Sequence, residues 1–252
     1  MNLFWRSTIP APWAPYAVEY RKLRRSLALP IAAIVPLLIA VFTFFNLLRD
    51  HQPRPWDMWI LSVSAVWAFF MLPMSVTALT ALVAQVEHTP RSWDQLRALP
   101  VPRWRLYAAK AVMILLLMAL MTVAVLLTGA AAVWLVAQLK PSLTPLGDFD
   151  LMRYVGVLTR MYLSSMLLIA VQLWLALRYA SFVPALAIGV GGTFFAVVGT
   201  SARIGVVLPW QIPVNMLATN PERADVALLT GFAGGLAAMV VMLSHLSRRE
   251  VD

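Results

Sequence analysis

The chain has 252 residues, of which 61% are hydrophobic and 12% are charged, and its mean hydropathy is +0.78. Soluble domains contain about 45–50% apolar and about 25% charged residues, so this composition excludes a soluble globular protein and indicates an integral membrane protein. The apolar runs are long and continuous, which favours helices, because a helix satisfies its backbone polar groups within one span. The chain has no cysteine, which excludes disulfides, iron–sulfur sites and thiol chemistry.

The net charge is +9, and its meaning depends on whether the protein is soluble or lies in a membrane. In a soluble protein such a charge would indicate a nucleic-acid partner. Here we expect the basic residues to flank membrane spans and to contact anionic lipid headgroups, with no nucleic acid bound. The N-terminal segment is not typical of a cleaved signal peptide, because three prolines and Glu19 precede the first apolar run.

The first predicted element is an amphipathic helix ahead of the first span. The segment YAVEYRKLRRSL at 16–27 places its aromatic and leucine side chains on one helical face. These side chains are Tyr16, Tyr20, Leu23 and Leu27. The charge lies on the other positions, which are Glu19, Arg21, Lys22, Arg24 and Arg25. The pattern predicts a helix lying in the cytoplasmic interface, and a plain basic anchor is the alternative.

Six membrane spans are predicted, each long enough for the about 20 residues that cross a hydrocarbon core. Their ranges are about 27–48, 58–86, 111–139, 151–177, 179–202 and 226–247. With the N-terminus in the cytoplasm, the inner segments hold 13 Lys and Arg and the outer loops hold six. This excess predicts that both termini are cytoplasmic. The chain is therefore expected to be one all-α membrane domain over residues 1–252.

A polar stretch, EHTPRSWDQLRALPVPRWRLYAAK at 87–110, separates the second and third spans. A short exposed helix is predicted to start at Thr89-Pro90 and to stop at Pro100. On that helix, Trp93, Leu96 and Arg97 share one face. A folded helix in an inner loop indicates a docking partner, and a loop held only by headgroups is the alternative.

The second half of that stretch is basic and aromatic. It leads into the third span, and its side chains suit the lipid headgroup layer. The predicted headgroup anchor consists of Arg103, Trp104, Arg105, Tyr107 and Lys110.

Two features are predicted on the outer side. The segment 204–220 is apolar but broken by Pro209 and Pro213, and it is too short to span the membrane. It predicts a re-entrant or interfacial element that includes Trp210, with an aromatic-anchored loop as the alternative. Arg160 is a charge within a span, where charges usually face a bundle interior or water. Three roles stay open for it: contact with a lipid phosphate, lining of an exit path, or extension to the interface.

The sequence gives no support for catalysis. The three histidines, His51, His88 and His245, are predicted at separate membrane positions, so no metal site is expected. No glycine-rich loop is followed by Lys-Ser or Lys-Thr, so this chain is not expected to hydrolyse a nucleotide. The six predicted spans contain no Asp or Glu, which argues against a proton or cation antiporter.

Four segments carry a family resemblance. EYRKLRRS before the first span and the pattern E-H-x-x-x-x-W-x-x-L-x-x-L-P-V-P-R-W-x-x-Y-x-x-K at 87–110 resemble ABC-2 type exporter permeases. The pattern is most similar to the branch of lantibiotic-immunity and bacitracin-export permeases. LRYASFVPALAIGVGG at 177–192 and LPWQIP at 208–213 are similar to the same branch. The resemblance implies that the inner loop is a coupling helix that docks on an ATPase. Its docking face and boundary would be Glu87, Trp93, Leu96, Arg97 and Pro100.

The resemblance also implies partners and a location. Two membrane subunits, identical or sister chains, would act with two ATPase subunits in a bacterial cytoplasmic membrane. ATP and magnesium would bind the ATPase, and this chain would hold no cofactor. The implied cargo is amphiphilic, such as an antimicrobial peptide or a lipid-linked compound. The alternatives are an ATP-independent transporter or lipid scramblase, and a membrane enzyme acting on lipids.

Overall fold

The computed structural model describes residues 13–88, 102–199 and 203–248. Among these residues the regular elements are helices, and the one β-type contact is an isolated bridge between Pro55 and Leu146. The α-helices are α1 Ala14–Arg24, α2 Ala28–Leu48, α3 Trp56–Val66, α4 Leu72–His88, α5 Arg103–Leu139, α6 Leu151–Ser164, α7 Met166–Arg178, α8 Val183–Val198 and α9 Pro221–Arg248. The shorter elements are the π turn Trp67–Met71 and the 3₁₀ turns Pro141–Leu143, Arg203–Val206 and Ile212–Leu217.

Five helical segments of the described ranges are long and apolar enough to cross a membrane. They are Ala28–Leu48, Trp56–Glu87, Arg103–Leu139, Leu151–Arg178 and Pro221–Arg248. The predicted span 179–202 corresponds to α8, which has only 16 residues. At 1.5 Å per residue α8 extends about 24 Å, which is shorter than a hydrocarbon core of about 30 Å. Five of the predicted spans therefore have a helix of spanning length, and the sixth stays a prediction.

The third span helix, α5, starts earlier than predicted. It has 37 residues and begins at Arg103 instead of residue 111. Pro102, in an extended conformation, precedes its first turn, and the residues that follow are mostly good helix formers. At 1.5 Å per residue α5 is about 55 Å long, so it extends well beyond a hydrocarbon core of about 30 Å. The predicted headgroup anchor is thus the first two turns of a continuous helix.

The second span is the most enclosed of the five. Of its most apolar 18 residues 61% are buried, against 22% for the first and the last span. The π turn Trp67–Met71 interrupts this span, and we attribute the turn to Pro73. A proline ring clashes with the carbonyl four residues earlier, here that of Phe69, and lacks an N–H to donate to it. The wider π turn accommodates this missing bond and leaves Trp67 fully buried in the core.

Contacts between loops show which helix ends lie together. The backbone N–H of Leu146 donates to the carbonyl of Arg54 at 3.0 Å, and Lys140 Nζ donates to the carbonyl of Asp50 at 3.1 Å. Residues 49–57 and 140–150 therefore lie at one end of the helices. Following the predicted topology, we call this end the outer end, and the opposite end, which carries α1, the inner end.

Residues 203–220, which precede α9, pack into the outer end. The Trp210 ring lies so close to Gly192 of α8 that a Cβ there would come within 2.4 Å of it. Asn215 Nδ2 donates to the carbonyls of Gly205 at 3.0 Å and Gln211 at 2.9 Å. Trp210 and Pro213 are buried, whereas Pro209 is half-buried. The predicted outer element thus forms two 3₁₀ turns packed on helices, and its tryptophan lies in the protein interior rather than among headgroups.

Candidate functional site

Helix α1 is held tightly against the rest of the protein. Ser26 forms the turn into α2, because its Oγ donates to the carbonyl of Leu23 at 2.9 Å and accepts the N–H of Ala28 at 3.2 Å. The packed face of α1 consists of Pro15, Glu19 and Leu23, which lie four residues apart. A carboxylate on a packed face is costly unless it is paired, so the partners of Glu19 define the site.

The predicted apolar face of α1 is only partly the packed one. Leu23 is buried, but Tyr20 is 54% and Leu27 is 66% exposed. The basic side chains of α1 that lie away from the packed face are exposed, and they are Arg21, Arg24 and Arg25. The interfacial role of this helix stays a prediction. The exposed aromatic and basic side chains agree with it.

Four charged side chains meet at the inner end, and we call them the charge cluster: Glu19, Lys22, Glu87 and Lys110. Lys110 Nζ donates to Glu19 Oε2 and to Glu87 Oε1, each at 2.9 Å. Lys22 Nζ donates to Glu19 Oε1 at 3.2 Å and also to Glu87 Oε1. The lysines and glutamates alternate in a closed ring, so the cluster joins α1, α4 and α5.

Three members of the charge cluster are buried, and the side chain of Lys22 is 25% exposed. Lys110 is 0%, Glu87 1% and Glu19 7% exposed. Two positive and two negative groups leave the cluster formally neutral, which limits the cost of desolvating it. Removing one member leaves an uncompensated buried charge, and breaking such a pair costs about 3–5 kcal/mol. The cluster therefore fixes the relative positions of three helices only while it stays complete.

The protonation of Lys22 supports this arrangement at neutral pH. Burial alone would lower the pKa of Lys22, but the hydrogen bond to Glu87 and the negative charges of Glu19 and Glu87 outweigh it and raise that pKa. A lysine whose pKa is raised in the folded state stabilises that state fully below its ordinary pKa of 10.5. This contribution is lost only as the pH rises through the raised pKa, so Lys22 stays protonated through the neutral range.

The structure corrects two assignments of the sequence analysis. Glu87 was assigned to the docking face and its boundary, but it is buried between the amines of Lys22 and Lys110. Lys110 and Tyr107 were expected among lipid headgroups, but they are 0% and 6% exposed. The physical reason is the length of α5, whose first turns pack against α1 before the helix enters the membrane. A side chain with this degree of burial cannot contact a headgroup.

The rest of the predicted anchor lies at the surface. Arg103 and Trp104 are exposed, and the guanidinium of Arg105 stacks on the Trp104 ring at 5.4 Å from its centre. The other predicted docking residues, Trp93, Leu96, Arg97 and Pro100, lie outside the described residues. The structure does describe the two ends of that loop. Glu87 precedes the loop, Lys110 follows it, and the two side chains contact each other.

Arg160 has a partner on another helix. Its guanidinium donates to Asp225, in the first turns of α9, and both side chains are partly exposed, at 44% and 68%. Arg160 thus pairs with a residue near the outer end of α9, and the three roles left open for it stay predictions. An exposed ion pair of this kind stabilises a protein by about 0–1 kcal/mol, so the pair is a weak stabilising element.

Sequence reasoning missed the charge cluster although two signals were present. Glu19 and Lys22 have the i, i+3 spacing of a helical ion pair. Glu87 directly follows one charge-free run and Lys110 directly precedes the next, so the two residues lie on opposite sides of one loop. An acid and a base that bound two consecutive spans at the same end are candidates for an ion pair, and this signal would have predicted half of the cluster.

The chain has several apolar helices long enough to span a membrane, and successive helices are joined at alternate ends. These features define a multi-pass helical membrane protein. Residues 17–197 match the family model described as ABC-2 family transporter protein. The match covers most of the chain, and the chain belongs to the ABC-2 transporter family. No curated protein sequence matches it significantly.

Family membership establishes the general role. The chain is the membrane permease of an ABC transporter, a transport component that is not itself catalytic. The family implies association with an ABC ATPase. The matched region includes α1 from Ala17 onward and all four members of the charge cluster.

Proposed function

We propose that this chain is the permease subunit of an ATP-driven exporter in a bacterial cytoplasmic membrane. In this proposal the chain has six spans and both termini in the cytoplasm. It acts together with a second permease chain, which is identical to it or a sister chain. The proposal is supported by family membership, by the excess of basic residues on the inner side, and by the burial of charge at the inner end of the helices.

The charge cluster is the observation that carries the coupling part of the proposal. The segment 89–101 is the proposed docking site of the ATPase, and Glu87 and Lys110 bracket it. Because these two residues bind each other and α1, a force on the loop acts on α1, α4 and α5 together. Packed interiors deform little, so a displacement of the loop is passed on as movement of these helices. ATP-driven closure of the ATPase would thereby reposition the first three spans.

The cargo is proposed to be amphiphilic. The spans expose long apolar faces, such as Leu37, Leu38 and Val41 of α2, and suit a compound that enters sideways from the lipid. The lantibiotic-immunity and bacitracin-export branch, and with it resistance to antimicrobial peptides, remains part of this proposal.

Co-purification tests the coupling part of the proposal. We expect an ABC ATPase to be recovered with the tagged chain from mild detergent, without ATP-binding activity of the chain itself. Trp93→Ala and Leu96→Ala should lower ATPase recovery by about tenfold, because a docking interface concentrates its energy in a few apolar anchors. Trp134→Ala, at a lipid-facing position of α5 that is 59% exposed, is the matched control and should leave recovery unchanged.

Two results would overturn the proposed function. One is a chain that binds no ATPase under conditions in which it stays folded. The other is a purified chain that moves amphiphiles between leaflets without ATP, which would favour the scramblase alternative.

A further inference from the structure

A groove of about 910 Å³ opens at the outer end, between α3, α6 and the 3₁₀ turn Ile212–Leu217. Ligand sites have volumes of about 300–1,000 Å³, so the groove is large enough for a small amphiphile. Its position at the opposite end from the charge cluster makes it independent of the proposed ATPase contact.

One wall of the groove is a continuous apolar stripe. Met58, Leu61, Ala65 and Phe69 follow one another at helical spacing along α3 and into the π turn, and Val157 faces them from α6. From Met58 to Phe69 the stripe descends about 16 Å at 1.5 Å per residue. This apolar wall therefore extends toward the middle of the membrane, as an acyl chain does.

Two arginines line the rim of the groove. Arg153, in the first turn of α6, and Arg223, in the first turn of α9, both line it near the ends of their helices. Arg153 is half-exposed and binds Asp57 through one nitrogen, whereas a guanidinium carries five N–H donors. Arg223 is fixed in place because its Nε donates to Asn215 Oδ1 at 2.7 Å.

We propose that this groove binds an anionic phospholipid from the outer leaflet. Its phosphodiester would lie against Arg153 and Arg223, and one of its chains would lie along the stripe from Met58 to Phe69. Planar guanidinium groups match the geometry of phosphate oxygens and bind them through charge-assisted hydrogen bonds.

Binding of the lipid needs no ATPase, whereas its role as exported cargo rests on the proposed function. The two are therefore separable by experiment. A failure to bind lipid would remove the groove as a ligand site and leave ATPase docking untouched. A failure to recover an ATPase would remove the exporter and leave lipid binding intact.

The test uses the purified chain in phosphatidylcholine nanodiscs with a fluorescent phosphatidylglycerol as the probe. We expect the probe to bind more tightly than phosphatidylcholine with the same label. Arg153→Gln and Arg223→Gln should each weaken binding by about tenfold, because a hydrogen bond to a charged group is lost. Ser62→Phe, at an exposed position on the groove wall, should block binding without altering the charge. Arg49→Gln, an exposed arginine at the outer end that does not line the groove, is the matched control.

Three outcomes would overturn the proposal. The first is equal binding of phosphatidylglycerol and phosphatidylcholine. The second is unchanged binding in the double variant of Arg153 and Arg223 together with unchanged binding in Ser62→Phe. The third is full competition by inorganic phosphate alone at the concentration of the lipid, which would show an anion site that does not recognise the chain.

Discussion

Replacing Lys110 with methionine is expected to lower the free energy of unfolding by about 3–5 kcal/mol, the cost of breaking a buried ion pair. Methionine retains most of the apolar stem, but it leaves Glu19 and Glu87 with one amine between them. The change should appear as a lower unfolding temperature of the detergent-solubilised chain. Lys140→Met is the matched control at the other end of α5, where Lys140 donates to the carbonyl of Asp50. We expect its effect to be about 1 kcal/mol, the cost of one hydrogen bond.

A double-mutant cycle separates pairing from packing. In Glu87→Gln with Lys110→Met, one acid and one base are removed together, and Glu19 keeps Lys22 as a partner of opposite charge. The double variant should therefore be more stable than the sum of the two single changes indicates, by about 1–3 kcal/mol. Additive effects would show that the two side chains contribute separately and that the cluster is not a unit.

Replacing Gly231 with valine is the second change with a large expected effect. A Cβ at Gly231 would lie 2.1 Å from the carbonyl oxygen of Ser164, at the break between α6 and α7. Since the clash is with backbone, α9 must move away, and we expect a loss of about 3 kcal/mol, at the upper end of ordinary overpacking. Gly156→Val in α6 is the control, because nothing lies within 4 Å of a Cβ there. Equal unfolding temperatures of the two variants would contradict the close approach of α9.

The spanning helices could be predicted because they follow from short-range properties of the sequence. Charge-free apolar runs mark four of the five helices of spanning length, and the run at 154–177 in the remaining one is interrupted only by Arg160. Pro102 precedes α5, and Pro73 follows the π turn. The length of α8 could not be predicted in this way, because its apolar run continues past the point where the helix ends. The outer 3₁₀ turns were expected as an element, but the burial of Trp210 against Gly192 depends on packing that no local pattern specifies.

Sequence reasoning singled out residues of the charge cluster one by one but did not predict the ion pairs between them. Basic residues beside a span indicate headgroup contacts, and this general rule assigned Lys110 to the membrane surface. Whether a charge is buried depends on the partner that compensates it, and here the partners are 23 and 91 residues away. Such pairs form only in the folded chain. The same reason explains why Asp225, as the partner of Arg160, was not foreseen.

The charge cluster is proposed to pass movement from the inner loop to α1. The chain has no cysteine, so spin labels attach to it only at the introduced Tyr20→Cys in α1 and Arg248→Cys in α9, both exposed positions, and report the distance between them. With the co-purified ATPase bound, we predict that ATP shifts this distance in the otherwise unaltered chain. In the Glu87→Gln, Lys110→Met background the ATPase should still bind, but the shift should disappear. The same ATP-dependent shift in both backgrounds would contradict the claim.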